Sequence, residues 1–282
     1  MPGTLTGRTA IVTGASSGIG KVTALELAKA GATVVMVCRP GDKAKAARDE
    51  IAAAGGHNVE LMAADLSSLA SIRACAAEFK STHNRLDVLV NNAGIFMPER
   101  QVTVDGLERT FATNHLAYFL FTNLVLDVLK ASAPARIVSV ASEAERWGKI
   151  DFDDLQCENR YRGIKAYSQS KLANIIFTYE LARRLAGTGV AANCLHPGGV
   201  NTGWARNAKG LFKMAMGMFS RFMLTPEQGA QTSIYLATSP EAKGITGTYF
   251  IKCEPAKSIA SSYDPAIAAR LWEVSEKLTG LS

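Results

Sequence analysis

The sequence predicts an α/β fold over residues 1–282: a single-domain, doubly wound parallel sheet with helices on both faces. Three observations predict it. Short β-branched runs alternate with longer Ala-, Leu-, Glu- and Lys-rich segments of helical spacing from the N-terminus onward. A glycine-rich turn stands between the first such run and the first helical segment. No Pro/Gly-rich linker, charge block or repeat interrupts the alternation, and 282 residues at 48% hydrophobic content suffice for one large core.

Taken in order, the runs at residues 9–13, 33–37, 59–62, 88–90, 137–140 and 191–195 are the candidate strands. Their near-continuous apolar character fits a sheet covered on both faces. The segment 21–30 carries helical spacing and forms the first crossover. The most apolar stretch, 116–129, is broken by Asn123 and Asp127, so it reads as a buried helix and not as a membrane span. Residues 143–165 form a long polar connection; Asp151, Asp153 and Asp154 within it have no His or Cys beside them and are read as a solvated loop face. Residues 201–224 hold Met214, Met216, Met218 and Met223, half of the chain's eight methionines, with Phe212, Phe219 and Phe222. Flexible, polarizable side chains suit a substrate lid; a core helix, or a membrane-surface helix given Arg206, Lys209, Lys213 and Arg221, are the other readings.

Composition excludes several function classes. A formal charge of +6 without a basic tract argues against nucleic-acid binding. The five cysteines are scattered, the four histidines isolated, and neither stands at metal-ligand spacing, so reduced thiols and no metal are expected. Met1-Pro2-Gly3-Thr4 carries no basic n-region and no apolar run follows, so nothing points to export and the expectation is a soluble, cytoplasmic protein, with membrane contact confined to the surface-helix reading of 201–224.

The chemistry begins at Thr13-Gly14-Ala15-Ser16-Ser17-Gly18-Ile19-Gly20, between the first strand and the first helix. Glycines there permit a tight turn and a close backbone approach, and the free N–H groups of the following helix face an anion, as a dinucleotide pyrophosphate requires. The spacing is Gly-x-x-x-Gly-x-Gly, which departs from the Gly-x-Gly-x-x-Gly fingerprint. At the end of the second strand Val37-Cys38-Arg39-Pro40 lacks the acid that binds a ribose 2′-hydroxyl and offers a guanidinium suited to a 2′-phosphate, with Lys43 or Lys21 to assist. NADP(H) is therefore the expected cofactor; a solvated loop arginine is the alternative. Further on, Tyr167 and Lys171 stand four residues apart. On a helix they share one face, and the ammonium favours the phenolate, which makes the tyrosine a candidate acid/base.

These motifs, with Asn91-Asn92-Ala93-Gly94 and Pro197-Gly198-Gly199-Val200-Asn201-Thr202, resemble the short-chain dehydrogenase/reductase family, in the family's order and over almost the whole chain. Ser170-Lys171-Leu172-Ala173-Asn174 and Leu271-Trp272-Glu273 resemble its retinol dehydrogenase-like branch. The resemblance implies a Rossmann-type fold and a catalytic set of Asn114, Ser142, Tyr167 and Lys171. Tyr167 exchanges the proton with the substrate oxygen, Lys171 lowers its pKa and bonds the nicotinamide ribose, Ser142 donates to the carbonyl, and Asn114 supports the lysine through a water. Ser139 is the competing serine, but it lies inside the strand. The implied cofactor contacts are Gly14, Ser16, Ser17, Gly18, Ile19, Gly20, Asp65, Leu66, Asn91, Ala93, Gly94, Tyr167, Lys171, Pro197, Gly198, Val200 and Thr202, beside Arg39. Asp65 also suits an N-cap of the helix starting near Ser67. The implied activity interconverts a carbonyl and an alcohol, on a substrate expected to be apolar from Phe96, Met97 and the Met-rich segment. A dinucleotide-binding sensor or scaffold without turnover is the alternative, and a homo-oligomer is left open because 246–250 lacks the Asp-Gly-Gly run of many relatives.

Overall fold

The structure, a computed structural model, describes residues 4–55, 58–199 and 224–281. The strands are β1 (Thr9–Thr13), β2 (Thr33–Cys38), β3 (Val59–Ala63), β4 (Val88–Asn91), β5 (Ala135–Val140), β6 (Val190–His196), β7 (Tyr249–Ile251) and β8 (Glu254–Ala256). They form one sheet of order β3-β2-β1-β4-β5-β6-β7-β8, parallel throughout except for the β7–β8 pair. The helices are α1 (Gly18–Lys29), α2 (Asp42–Ala53), α3 (Leu69–Thr82), α4 (109–124), α5 (Leu126–Ala131), α6 (Gly163–Arg184), α7 (Pro226–Thr238) and α8 (Pro265–Thr279). Within α4 the stretch Ala112–Leu116 is π-helical.

Period-two alternation sends strand side chains into two separate cores. Ile11, Val35, Val37, Leu89 and Ile137 pack with Phe79, Tyr118, Phe121 and Phe177 of α3, α4 and α6. Val12, Val34, Met36, Val90 and Val138 pack with Leu27, Ile51 and Leu236 of α1, α2 and α7 on the other face. Because α1 and α2 cover one face and α3 crosses to the other, the chain reverses direction across the sheet between β1 and β4. At such a switch point the crossovers part and leave a crevice at the carboxyl ends of the strands.

Every expected strand lies within an observed one. Strands β7 and β8 were not expected: each has three residues, Pro255 lies within β8, and the turn between them puts Lys252 and Cys253 at φ 52 and 65. Pro is tolerated there because β8 is the sheet's edge. The buried helix expected over 116–129 is broken at Val125 into α4 and α5. In the connection 143–165 the aspartate face is solvated as expected, Asp153 exposed and Asp151 and Asp154 half-buried, but the segment is more than a loop. It opens with a 3₁₀ turn, Glu143–Trp147, and buries Glu145, Ile150, Leu155 and Cys157. Its polar groups find distant partners: Glu145 Oε2 accepts from Ile259 N at 3.2 Å, and Gln169 Nε2 donates to Leu155 O at 3.0 Å. Asp151 pairs with Lys165 at 3.0 Å. Among the described residues no group of three or more His, Cys, Asp or Glu is placed to hold a metal ion, and no helix is long and apolar enough to cross a membrane.

Candidate active site

A cleft of about 560 Å³ opens at the switch point and runs from the β1–α1 turn to the first turns of α6. At its first end the backbone is shaped to admit a large anion. Gly14 sits at φ 68, and a Cβ there would fall 2.8 Å from Ala93 Cα; one on Gly20 would fall 2.7 Å from Gly14 O. Only glycine leaves the turn this close to β4. The N-cap Ser17 makes no side-chain cap bond, so the first N–H groups of α1 keep their capacity for an acceptor in the cleft. Thr13 Oγ1 accepts from Asn92 N at 2.9 Å and Ala93 N at 3.1 Å, while Asn92 Nδ2 donates to Thr13 O at 2.8 Å, which locks the ends of β1 and β4 together. A cradle that a Cβ would fill, with uncapped donors at its base, fits a dinucleotide pyrophosphate.

Of the residues singled out as cofactor contacts, Gly14, Ser16, Ser17, Ile19, Gly20, Arg39, Asp65, Leu66, Ala93, Gly94, Tyr167, Lys171, Pro197 and Gly198 line the cleft. Two do not. Gly18 shapes the turn from φ 57. Asn91 is fully buried because the pleat turns it away from the opening, and its Nδ2 donates to Thr122 Oγ1 of α4 at 2.9 Å; the cleft residue is Asn92. Val200 and Thr202 lie outside the described residues, as does the Met-rich segment up to residue 223. Lys43 lines the cleft, whereas Lys21 is paired with Glu50 of α2. Asp65 is not the helix cap: Ser68 caps α3, and Asp65 Oδ1 accepts from Ser67 N at 2.9 Å and Ser67 Oγ at 2.7 Å. Burial pushes the Asp65 carboxyl up, but the Ser67 bonds and the charges of Arg39 and Arg109 outweigh it and hold it below the usual range.

At the other end, α6 presents Tyr167 and Lys171 to the cleft one turn apart, with Lys171 Nζ 5.6 Å from the centroid of the Tyr167 ring. Lys171 is 3% exposed and donates to Val140 O at 3.0 Å. Burial pulls its ammonium down to about 8. Ser142, just beyond β5, lines the cleft and accepts from Ala144 N at 3.2 Å, whereas Ser139 is wholly buried inside the strand. Asn114 is buried in the π-helical stretch and does not line the cleft. Its Oδ1 accepts from Ile95 N at 2.8 Å and its Nδ2 donates to Ile95 O at 2.9 Å and Ser170 Oγ at 3.0 Å, so it clamps the loop after β4 against α6.

Lining residues that the sequence did not mark as site candidates include Arg109 at the start of α4, His196 at the end of β6, and the exposed Trp147 and Ile164. Their positions follow from tertiary neighbours alone. His196, isolated from other histidines in the sequence, is engaged by a distant segment: its Nδ1 accepts from Glu143 N at 3.0 Å.

The family model for short chain dehydrogenases matches residues 8–211. Retinol dehydrogenase 14 of Mus musculus is 44% identical, covering 99% of this chain and 88% of that protein, and retinol dehydrogenase 13 of Homo sapiens is 44% identical over 99% and 86%. Among solved structures, an uncharacterized protein from Mycobacterium paratuberculosis superposes with a TM-score of 0.81 at 36% identity, covering 99% of this chain and 96% of that one. The Pseudomonas aeruginosa RhlG/NADP active-site complex gives 0.72 at 29%, over 89% and 96%. The chain belongs to the short-chain dehydrogenase/reductase family, in its retinol dehydrogenase-like branch, and is an oxidoreductase of small molecules with a nicotinamide dinucleotide cofactor.

Proposed function

We propose that the protein interconverts an apolar ketone or aldehyde and its alcohol with NADP(H), using Tyr167 as the acid/base. The observation that carries this is one continuous cleft with an anion cradle and Arg39 at one end and Ser142, Tyr167 and Lys171 at the other. The dinucleotide, when bound, supplies or takes up the hydride. The turn Gly14–Gly20 would hold its pyrophosphate, and Arg39 with Lys43 its 2′-phosphate. The protein's own part is to orient the reactants and manage one proton. Below about pH 8 Lys171 keeps its positive charge beside Tyr167 and favours the phenolate over the phenol, so the proton leaves and returns at low cost. The Ser142 hydroxyl would donate to the substrate oxygen as charge grows there. Asn114 keeps the loop after β4 and the Lys171 face of α6 in register.

Trp147 and Ile164, exposed at 74% and 51%, form an apolar rim on the Tyr167 side of the cleft. Water-facing aromatic and aliphatic surface at a cleft mouth suits an apolar substrate. The expected result for Tyr167→Phe is a fall in kcat of about 10³ or more in an NADPH-consumption assay across a carbonyl panel, with NADPH affinity within a few fold of the parent. Near-parental turnover in that variant overturns the assignment. Tight NADPH binding with no turnover of any carbonyl by the parent favours a sensor.

A further inference from the structure

The ladder between β5 and β6 ends at the cleft. Its last main-chain bond runs from Ala141 N to Leu195 O at 2.8 Å, and just beyond it the pairing changes in kind: Glu143 N donates to His196 Nδ1 at 3.0 Å. A side chain has replaced the next main-chain acceptor. The two bonds flank Ser142, so they fix the backbone on either side of its hydroxyl. The His196 side chain is 11% exposed and lines the same cleft as Ser142 and Lys171.

We propose that His196 is a positioning residue: its Nδ1, an acceptor in the neutral imidazole, clamps the Glu143 amide and with it Ser142 to the end of β6, and acid opens the clamp by protonating it. The catalytic part of this role rests on Ser142 being the donor to the reacting oxygen. A neutral imidazole has one acceptor nitrogen. Since Nδ1 is that acceptor, the proton sits on Nε2, 3.6 Å from Glu143 Oε2. A second proton would put an N–H against the Glu143 N–H, two donors face to face. Among the groups around the ring, burial disfavours the imidazolium most, the Glu143 carboxylate favours it, and the charges of Arg146 and Lys171 oppose it; the net effect lowers the pKa from its usual 6.5. The clamp is thus closed at neutral pH and opens only as pH falls below 6.5 toward the lowered value.

The test follows the Glu143 amide by ¹H–¹⁵N NMR in the labelled full chain between pH 7.5 and 5, in the parent, in His196→Asn and in His196→Leu. Asn keeps an acceptor oxygen near the Nδ1 position and does not titrate. In the parent the Glu143 resonance should move with a midpoint below pH 6.5, in His196→Asn it should hold its position over that range, and in His196→Leu it should already be displaced at pH 7.5. A parental resonance indifferent to pH and matched by that of His196→Leu overturns the clamp. In turnover, His196→Leu should lose about tenfold in kcat with NADPH affinity within threefold, and His196→Asn should recover most of it and lose the acid limb of the kcat profile. Equal kcat in the parent and His196→Leu overturns the positioning role. Failure of the parent to turn over any carbonyl would remove the redox reading instead, and the amide would still decide the clamp.

Discussion

Two buried charges lie at opposite edges of the sheet, Asp87 just before β4 and Lys171 over the end of β5, and they are treated differently. Asp87 is 3% exposed and accepts from Arg8 Nη1 at 2.5 Å, Arg85 Nε at 2.8 Å, Arg85 Nη2 at 2.9 Å and Thr9 N at 2.9 Å. Burial pushes its carboxyl up, but the two arginines and the Thr9 amide more than offset this and hold it below the usual range. Lys171 is as deeply buried, donates to one carbonyl, and its pKa drops to about 8. A buried charge with a full set of partners anchors the fold, whereas one left partly unanswered costs stability and is kept where a proton or an anion has to be managed. The edge that carries the N-terminal ends of the strands is therefore structural, and the opposite edge is where chemistry is expected.

Breaking Lys171 should give the largest effect. Lys171→Met is expected to lower kcat by about 10³, roughly 4 kcal/mol of barrier, in an NADPH-consumption assay. The same change should leave the protein as stable as the parent or slightly more so at pH 7. A pKa lowered from 10.5 to about 8 means that the buried ammonium costs on the order of 3 kcal/mol. Loss of the bond to Val140 O returns about 1–3 kcal/mol of that. The sign can be checked against pH: the cost is full below pH 8 and fades toward 10.5, so any gain in urea midpoint should shrink between those values. A variant that lost stability along with turnover would break the comparison.

Asp87→Asn tests the opposite edge. Removing the charge leaves two arginines and an amide facing a neutral group, which should cost about 2–3 kcal/mol in urea unfolding, while kcat and NADPH affinity per folded molecule stay unchanged. The stabilisation exists only while the carboxyl is ionised: it is present above the unfolded-state value near 3.8 and is lost as pH falls through the lowered one. The difference in stability between parent and variant should therefore close in strong acid. A loss of turnover in the folded variant would show that the two edges are not independent.

The same contrast explains what could be read from the sequence. Locally determined features were legible: the six longer strands from β-branched runs, the tight turn between β1 and α1 from its glycines, and the shared cleft of Tyr167 and Lys171 from one turn of helix. Features that depend on distant neighbours were not. Nothing in the polar run 143–165 announces that Ile259 and Gln169 will satisfy it, so it resembled a solvated loop. Arg109 and His196 reach the cleft because a helix start and a strand end happen to meet there, and three-residue strands such as β7 fall below the length at which periodicity speaks.

The smallest expected effect concerns arginines, which the two edges also use differently. Arg8 and Arg85 are committed to Asp87, while Arg39 is exposed on the cleft beside Asp65. If Arg39 serves a 2′-phosphate, Arg39→Ala should weaken NADPH about tenfold, roughly 1.4 kcal/mol, and NADH less than twofold, by fluorescence titration. Arg8→Ala should leave both affinities alone and lower the urea midpoint instead. Because Arg39 is exposed, raising the ionic strength from about 0.01 M to 0.15 M shortens the screening length from roughly 30 to 8 Å and should narrow the NADPH–NADH gap in the parent more than in Arg39→Ala. Equal losses of NADPH and NADH in Arg39→Ala would remove the 2′-phosphate contact. A gap that survives both the substitution and salt would shift the preference to a less screened cation on the same wall, and Arg109, which also acts on Asp65, would be the residue to replace next.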